Sequence, residues 1–122
     1  MRILIAGGTA VSRRALITLF STKPELDVVG EVVSVAQLTN QLAQTDLDMV
    51  ILNSMIKNEA GTETIRAIKI LAPQTAVLVL SARKIIEQVS LVAGADAFVL
   101  KGDPPRTLLT TIETIRMRRE DV

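Results

Sequence analysis

The feature that most restricts this chain is an alternation. Four short apolar runs and one short β-branched stretch, each closed by a glycine or a polar residue, are separated by segments whose apolar residues recur at helical spacing. The runs are Ile3-Leu4-Ile5-Ala6 before Gly7-Gly8, the β-branched stretch from Leu26 to Val33, Met49-Val50-Ile51-Leu52 before Asn53, Ala76 to Leu80 before Ser81-Ala82, and Ala97-Phe98-Val99-Leu100 before Lys101. Short continuous apolar runs bounded by turn formers are strands with both faces covered. Met49 to Asn53 has no helical period and stops at one polar residue, so it reads as a fully buried central strand that delivers Asn53 to a crevice at the strand's carboxyl end.

The segments between the runs read as helices. Val11, Ala15, Leu16, Leu19 and Phe20 form one buried stripe, ended by Lys23-Pro24-Glu25. Ser34 caps a second helix that buries Val35, Leu38 and Leu42. After the polar loop of residues 54–61, with Lys57-Asn58-Glu59 inside it, a third helix opens near Thr62. It buries Ile65, Ile68 and either Leu71 or Ala72, and stops at Pro73. A fourth helix faces inward with Ile85 or Ile86, Val89, Val92 and Ala93, and Gly94 caps its end. Pro104-Pro105 opens a fifth helix with Leu108, Leu109, Ile112 and Ile115 inward, ending in Arg116-Met117-Arg118-Arg119.

Strands alternating with helices give a parallel sheet covered on both sides. With right-handed crossovers, five such units predict a single α/β domain, a (βα)5 doubly wound parallel sheet of three layers in the flavodoxin-like order 2-1-3-4-5. In such sheets ligands meet the carboxyl ends of the strands where the order reverses, here between the first and third strands. Gly7, Gly8, Asn53, Ser81 and Lys101 wait there.

Composition narrows the chemistry. A chain of 122 residues fits one domain over 1–122 and buries roughly two thirds of its unfolded surface. The net charge of +1 gives no general attraction to nucleic acid or to a membrane. Histidine and cysteine are both absent, which removes the commonest general base, the commonest metal ligand and any disulfide. No apolar run has the length of a membrane span, and the first residues do not form a signal peptide. The expected location is the cytoplasm.

Taken together, these landmarks resemble the receiver domain of bacterial response regulators over nearly the whole chain. They are the first strand before a two-residue site, Met49 to Asn53, Gly61 eight residues later, Val79-Leu80-Ser81-Ala82, Gly94-Ala95-Asp96-Ala97-Phe98-Val99-Leu100-Lys101, and Pro104-Pro105. The Gly-Ala-Asp-Ala-Phe segment is most similar to receivers joined to a helix-turn-helix output domain. The resemblance implies phosphoryl transfer to an aspartate after the third strand, with two acidic residues after the first strand helping to hold magnesium. It also implies a hydroxyl, an aromatic and a lysine that answer the phosphate.

This chain departs from that pattern on the acidic side. Gly7 and Gly8 replace the acidic pair, and Asn53 stands at the phosphoacceptor position. An amide resembles a carboxylate in shape, but it is uncharged and its nitrogen donates. Ile56, Lys57 and Asn58 replace a usual Met-Pro-Gly. The responding side is kept: Ser81, Phe98 and Lys101 stand at the hydroxyl, aromatic and lysine positions.

The expectation is an atypical receiver, not an enzyme, with no catalytic residue and no bound magnesium or other metal. Lys101 would be the only formal charge in its crevice. It would act as a phosphorylation-independent interaction or dimerisation module in signal transduction and transcriptional control. Contacts would run through Ile85 to Lys101 and Pro104 to Arg119, and DNA would be reached only through a separate output domain beyond Val122. The alternative is a small-ligand or anion sensor, with the amides of Gly7 to Thr9, Ser81 and Lys101 around the ligand. Each feature also has a plainer reading. Gly7-Gly8 is then a tight turn, Lys101 bonds Asn53 or a carbonyl, Ser81 and Phe98 only pack, and the terminal arginines form a solvated helix end or lead into a linker.

Overall fold

The computed structural model describes residues 1–53 and 61–120. The polar loop read before Gly61, including Ile56, Lys57, Asn58 and Glu59, lies outside the described residues.

Five strands, β1 (Arg2–Ala6), β2 (Asp27–Val32), β3 (Met49–Asn53), β4 (Ala76–Ser81) and β5 (Ala97–Leu100), alternate with five helices. The helices are α1 (Ala10–Phe20), α2 (Val35–Gln44), α3 (Gly61–Leu71), α4 (Glu87–Val92) and α5 (Pro105–Glu120), with a 3-10 turn, Lys84–Ile86, leading into α4. All strand pairs are parallel and the order is β2-β1-β3-β4-β5, as the alternation predicts. The reversal therefore lies between β1 and β3. Register slips once, between Ile3 and Leu4, where Val29 has no partner across from it.

Alternation along the strands sorts the core into two layers. Ile3, Ile5, Met49, Ile51, Leu78, Leu80 and Val99 pack with Leu16 and Phe20 of α1 and Leu108, Ile112 and Ile115 of α5. Leu4, Ala6, Val50, Leu52, Val77 and Val79 pack against Leu38 of α2, Ile65 and Ile68 of α3, and Ala93. β3 is buried at every position, so its apolar side chains Met49, Val50, Ile51 and Leu52 each contribute about 1.5–3 kcal/mol of transfer free energy.

Local signals hold the helix starts. Thr9 Oγ1 accepts from Ser12 N at 3.0 Å, and Ser34 Oγ accepts from Gln37 N at 3.2 Å. Gln37 Oε1 in turn accepts from Val33 N at 2.8 Å. Pro105 is the first residue of α5. Gly94 has φ +117 after α4, the left-handed conformation that favours glycine.

Some expectations need correction. Val11 and Ala15 are exposed because they lie on the outer face of α1 with Arg14 and Thr18, while the inward stripe runs through Leu16 and Phe20. The α4 stripe is shifted: Val89 and Val92 are exposed and Ser90 is buried in their stead, while Ala93 packs into the core as expected. α4 has only six residues, and small side chains let it lie close to the sheet. Ile86 packs inward and Ile85 does not; Ala72 is buried and Leu71 is exposed. β2 excludes Leu26 and Val33. The terminal arginines are not simply solvated. Arg119 pairs with Asp48 at 3.2 Å and donates to Gln74 O, and Arg116 bridges Glu113 at 2.6 Å and Glu120 at 2.7 Å. Among the described residues, no helix is long and apolar enough to cross a membrane.

Candidate functional site

β3 ends in Asn53, whose side chain shares a face of the sheet with Met49 and Ile51, the face that α1 and α5 cover. Asn53 is fully buried. Its Nδ2 donates to Ser12 Oγ at 2.6 Å and lies 3.4 Å from Gly7 O. A carbonyl oxygen can only accept, so Gly7 fixes the amide with nitrogen toward β1. The other end, Oδ1, is buried and has no hydrogen-bond partner among the described residues.

Gly7 and Gly8 both have positive φ, +88 and +79. At Gly8 a second constraint applies. A Cβ there would stand 2.3 Å from Asn53 Nδ2 and 3.1 Å from Asn53 O. The amide of Asn53 thus fills the space that a side chain at position 8 would need. Gly7 N is already used, donating to Val32 O at 2.9 Å, so one of the amides expected to face an anion points into the sheet instead.

Ser12 and Arg13 were not singled out in the sequence. Arg13 donates from Nη1 to Gly8 O at 2.6 Å and pairs through Nε with Glu31 at 3.1 Å. A guanidinium is thus held on the Gly7-Gly8 turn, on the β1 and β2 side of the strands' carboxyl ends. A signal for Ser12 was present: positions 12, 16 and 20 lie one above another on a helix. Ser12 is thus the next step of the Leu16–Phe20 stripe, aimed at the carboxyl end of β3.

The other expected residues divide between two faces. Asn53 and Lys101 line one cavity of about 590 Å³ between α1 and the start of α5. The Lys101 pKa is lowered by desolvation, and its backbone N–H donates to Ser81 O at 2.9 Å. Ser81 is buried and its Oγ accepts from Arg83 N at 3.0 Å, closing a local turn; it does not line that cavity. Phe98 is half-buried on the opposite face, against the α3 and α4 layer.

The receiver resemblance implies magnesium, and the donor set does not fit it. Gly7 and Gly8 have no side-chain oxygen, and Asn53 turns a nitrogen toward β1. A small divalent cation requires several oxygen ligands, mostly anionic. Among the described residues, no three His, Cys, Asp or Glu side chains are grouped to hold a metal ion.

Comparison with known proteins agrees with the topology. The family model described as "Response regulator receiver domain" matches residues 3–113. An uncharacterised transcriptional regulatory protein, YhcZ of Bacillus subtilis, is 30% identical over 113 residues, covering 91% of this chain and 53% of that protein. The DNA-binding transcriptional activator DevR/DosR of Mycobacterium tuberculosis is 29% identical over 103 residues, covering 83% and 48%. The chain spans about half the length of these relatives. Among solved structures, the isolated REC domain of RcsB from Salmonella enterica superposes with a TM-score of 0.88 at 22% identity, covering 96% of this chain and 88% of that one. The response regulatory domain of mrkE from Klebsiella pneumoniae gives 0.88 at 16% identity, with both chains covered in full.

Proposed function

Because the chain belongs to the response regulator receiver domain family of two-component signalling, and is related to transcription regulators, we propose that it is an atypical receiver that works without phosphorylation, as a protein-interaction and dimerisation module. One observation carries this reading. The residue at the acceptor position is a buried amide whose nitrogen is committed to Ser12 and Gly7, and its volume excludes a side chain at Gly8. An amide has no carboxylate oxygen to attack a phosphohistidine, and position 8 has no room for an acid.

The contact face follows from exposed apolar side chains. Ile85 and Val92 are 81% and 72% exposed, and Val89 is half-exposed beside them. Isolated surface apolars are ordinary, but three at helical spacing across the 3-10 turn and α4 form a patch of the kind that pairs with another protein. Self-association through this face, and DNA contact through a separate output domain, complete the proposal, which places the protein in the cytoplasm.

The test has two arms. Incubation with acetyl phosphate and magnesium, followed by intact mass measurement, is expected to leave the mass unchanged. Sedimentation is expected to show a concentration-dependent dimer that Val92→Asp weakens. A covalent phosphoryl gain overturns phosphorylation independence, and a dimer that Val92→Asp leaves intact overturns the choice of face.

A further inference from the structure

We propose that the cavity between α1 and α5 binds a small, uncharged, largely apolar molecule carrying one hydroxyl or N–H group, which Asn53 Oδ1 accepts. The inference goes beyond the interaction module and does not depend on it.

Size and lining come first. At about 590 Å³ the cavity lies within the roughly 300–1,000 Å³ range of small-molecule sites. Its apolar walls are Leu16 and Leu19 of α1, Leu80 and Val99 of the sheet, and Leu108 of α5; among its polar residues, Asn53 and Ser12 meet at the carboxyl end of β3. Such a wall recognises an apolar body, and the few polar groups set its orientation.

Charge comes next. Lys101 and Asp103 both line the mouth, both are exposed, and their charges are opposite. The pair gives the site no net sign, so an ion is not selected.

The polar end supplies the second, independent observation. Asn53 is fully buried, lines the cavity, and keeps an acceptor oxygen with no partner among the described residues. An unsatisfied buried acceptor costs free energy that a donor recovers. Ser12 Oγ and Gly7 O take up the amide nitrogen, so the oxygen, closed off in the resting structure, is the end left for a ligand's donor. A bound molecule would rest on both α1 and α5 and fix their spacing.

Indole and 1-methylindole test this, since they differ mainly in one N–H donor and neither is charged. Titrated into the 122-residue chain and followed by two-dimensional amide spectra, indole is expected to give saturable shifts centred on Ser12, Leu16, Asn53, Val99 and Leu108. 1-Methylindole is expected to bind about tenfold more weakly, the scale of one lost buried hydrogen bond. Ala15→Trp, at an exposed position on the cavity's lip, is expected to abolish the indole shifts while circular dichroism stays native. Absence of saturable shifts overturns the proposal, and so does equal affinity for the two probes. Shifts at the same residues produced by raising protein concentration alone also overturn it, since a second copy of the chain would then be the occupant.

Discussion

At residue scale, the crevice is decided by a steric exchange between two positions far apart in sequence. Asn53 occupies the volume that any side chain at Gly8 would need, and Gly8 holds a φ that L-residues avoid. Gly8→Ala should therefore destabilise the domain by about 1–3 kcal/mol, from the left-handed strain and the 2.3 Å approach together. Combining it with Asn53→Ala should recover part of that loss, because removing the amide opens the space. Urea denaturation of both single variants and the double variant measures the coupling, and strict additivity would show that the two positions do not compete.

At the scale of elements, the helices are tied to the sheet by particular polar contacts. In α3, Thr64 Oγ1 is buried with no hydrogen-bond partner among the described residues. Thr64→Val replaces that hydroxyl with a methyl of similar size, and should be neutral or raise stability by about 1 kcal/mol, as read from the thermal midpoint. At the start of β5, Asp96 Oδ2 accepts from Val77 N and from Lys69 Nζ, both at 2.8 Å, which joins α3, β4 and β5 at one carboxylate.

On α5 the Arg116 guanidinium hydrogen-bonds Glu113 and holds its carboxyl below the usual range. A carboxylate with a lowered folded-state pKa stabilises the fold above its ordinary pKa, and that contribution is lost as pH falls through the lowered value. Glu113→Gln should thus reduce stability slightly at neutral pH, and the deficit should close in acid. Paired pH–stability curves check the sign, and a deficit that persists in strong acid would assign the effect to something other than charge.

At the scale of the whole molecule, the topology was legible because four of the five strands are short apolar runs, β2 is β-branched, and all four crossovers are helical. Both signals are local in sequence, and right-handed connections leave few ways to assemble them. Asn53, Gly7, Gly8 and Lys101 could be placed for the same reason: each follows the end of a strand. What was not legible depended on contacts between elements. In α4 the expectation holds for Ile86 and Ala93 and fails for Val89 and Val92, because several stripes fit a helix of six residues and only the sheet's need for close packing selects Ser90. Arg13 reads as an outer helix residue until the fold brings the Gly8 carbonyl and Glu31 to it. The split of Ser81 and Phe98 from Asn53 arises from strand alternation, which became decisive once the helices of each layer were known.

The guanidinium on the Gly7-Gly8 turn has a consequence for the environment the protein tolerates. Its positive charge is part of the polypeptide and Glu31 balances it locally, so the fold borrows nothing from the surrounding electrolyte at this point. Thermal midpoints in excess chelator and in millimolar magnesium should coincide; a midpoint raised by magnesium would reveal a cation site. Swings in the cell's divalent-ion supply would then leave its resting shape alone, and its reports would not drift with ionic weather.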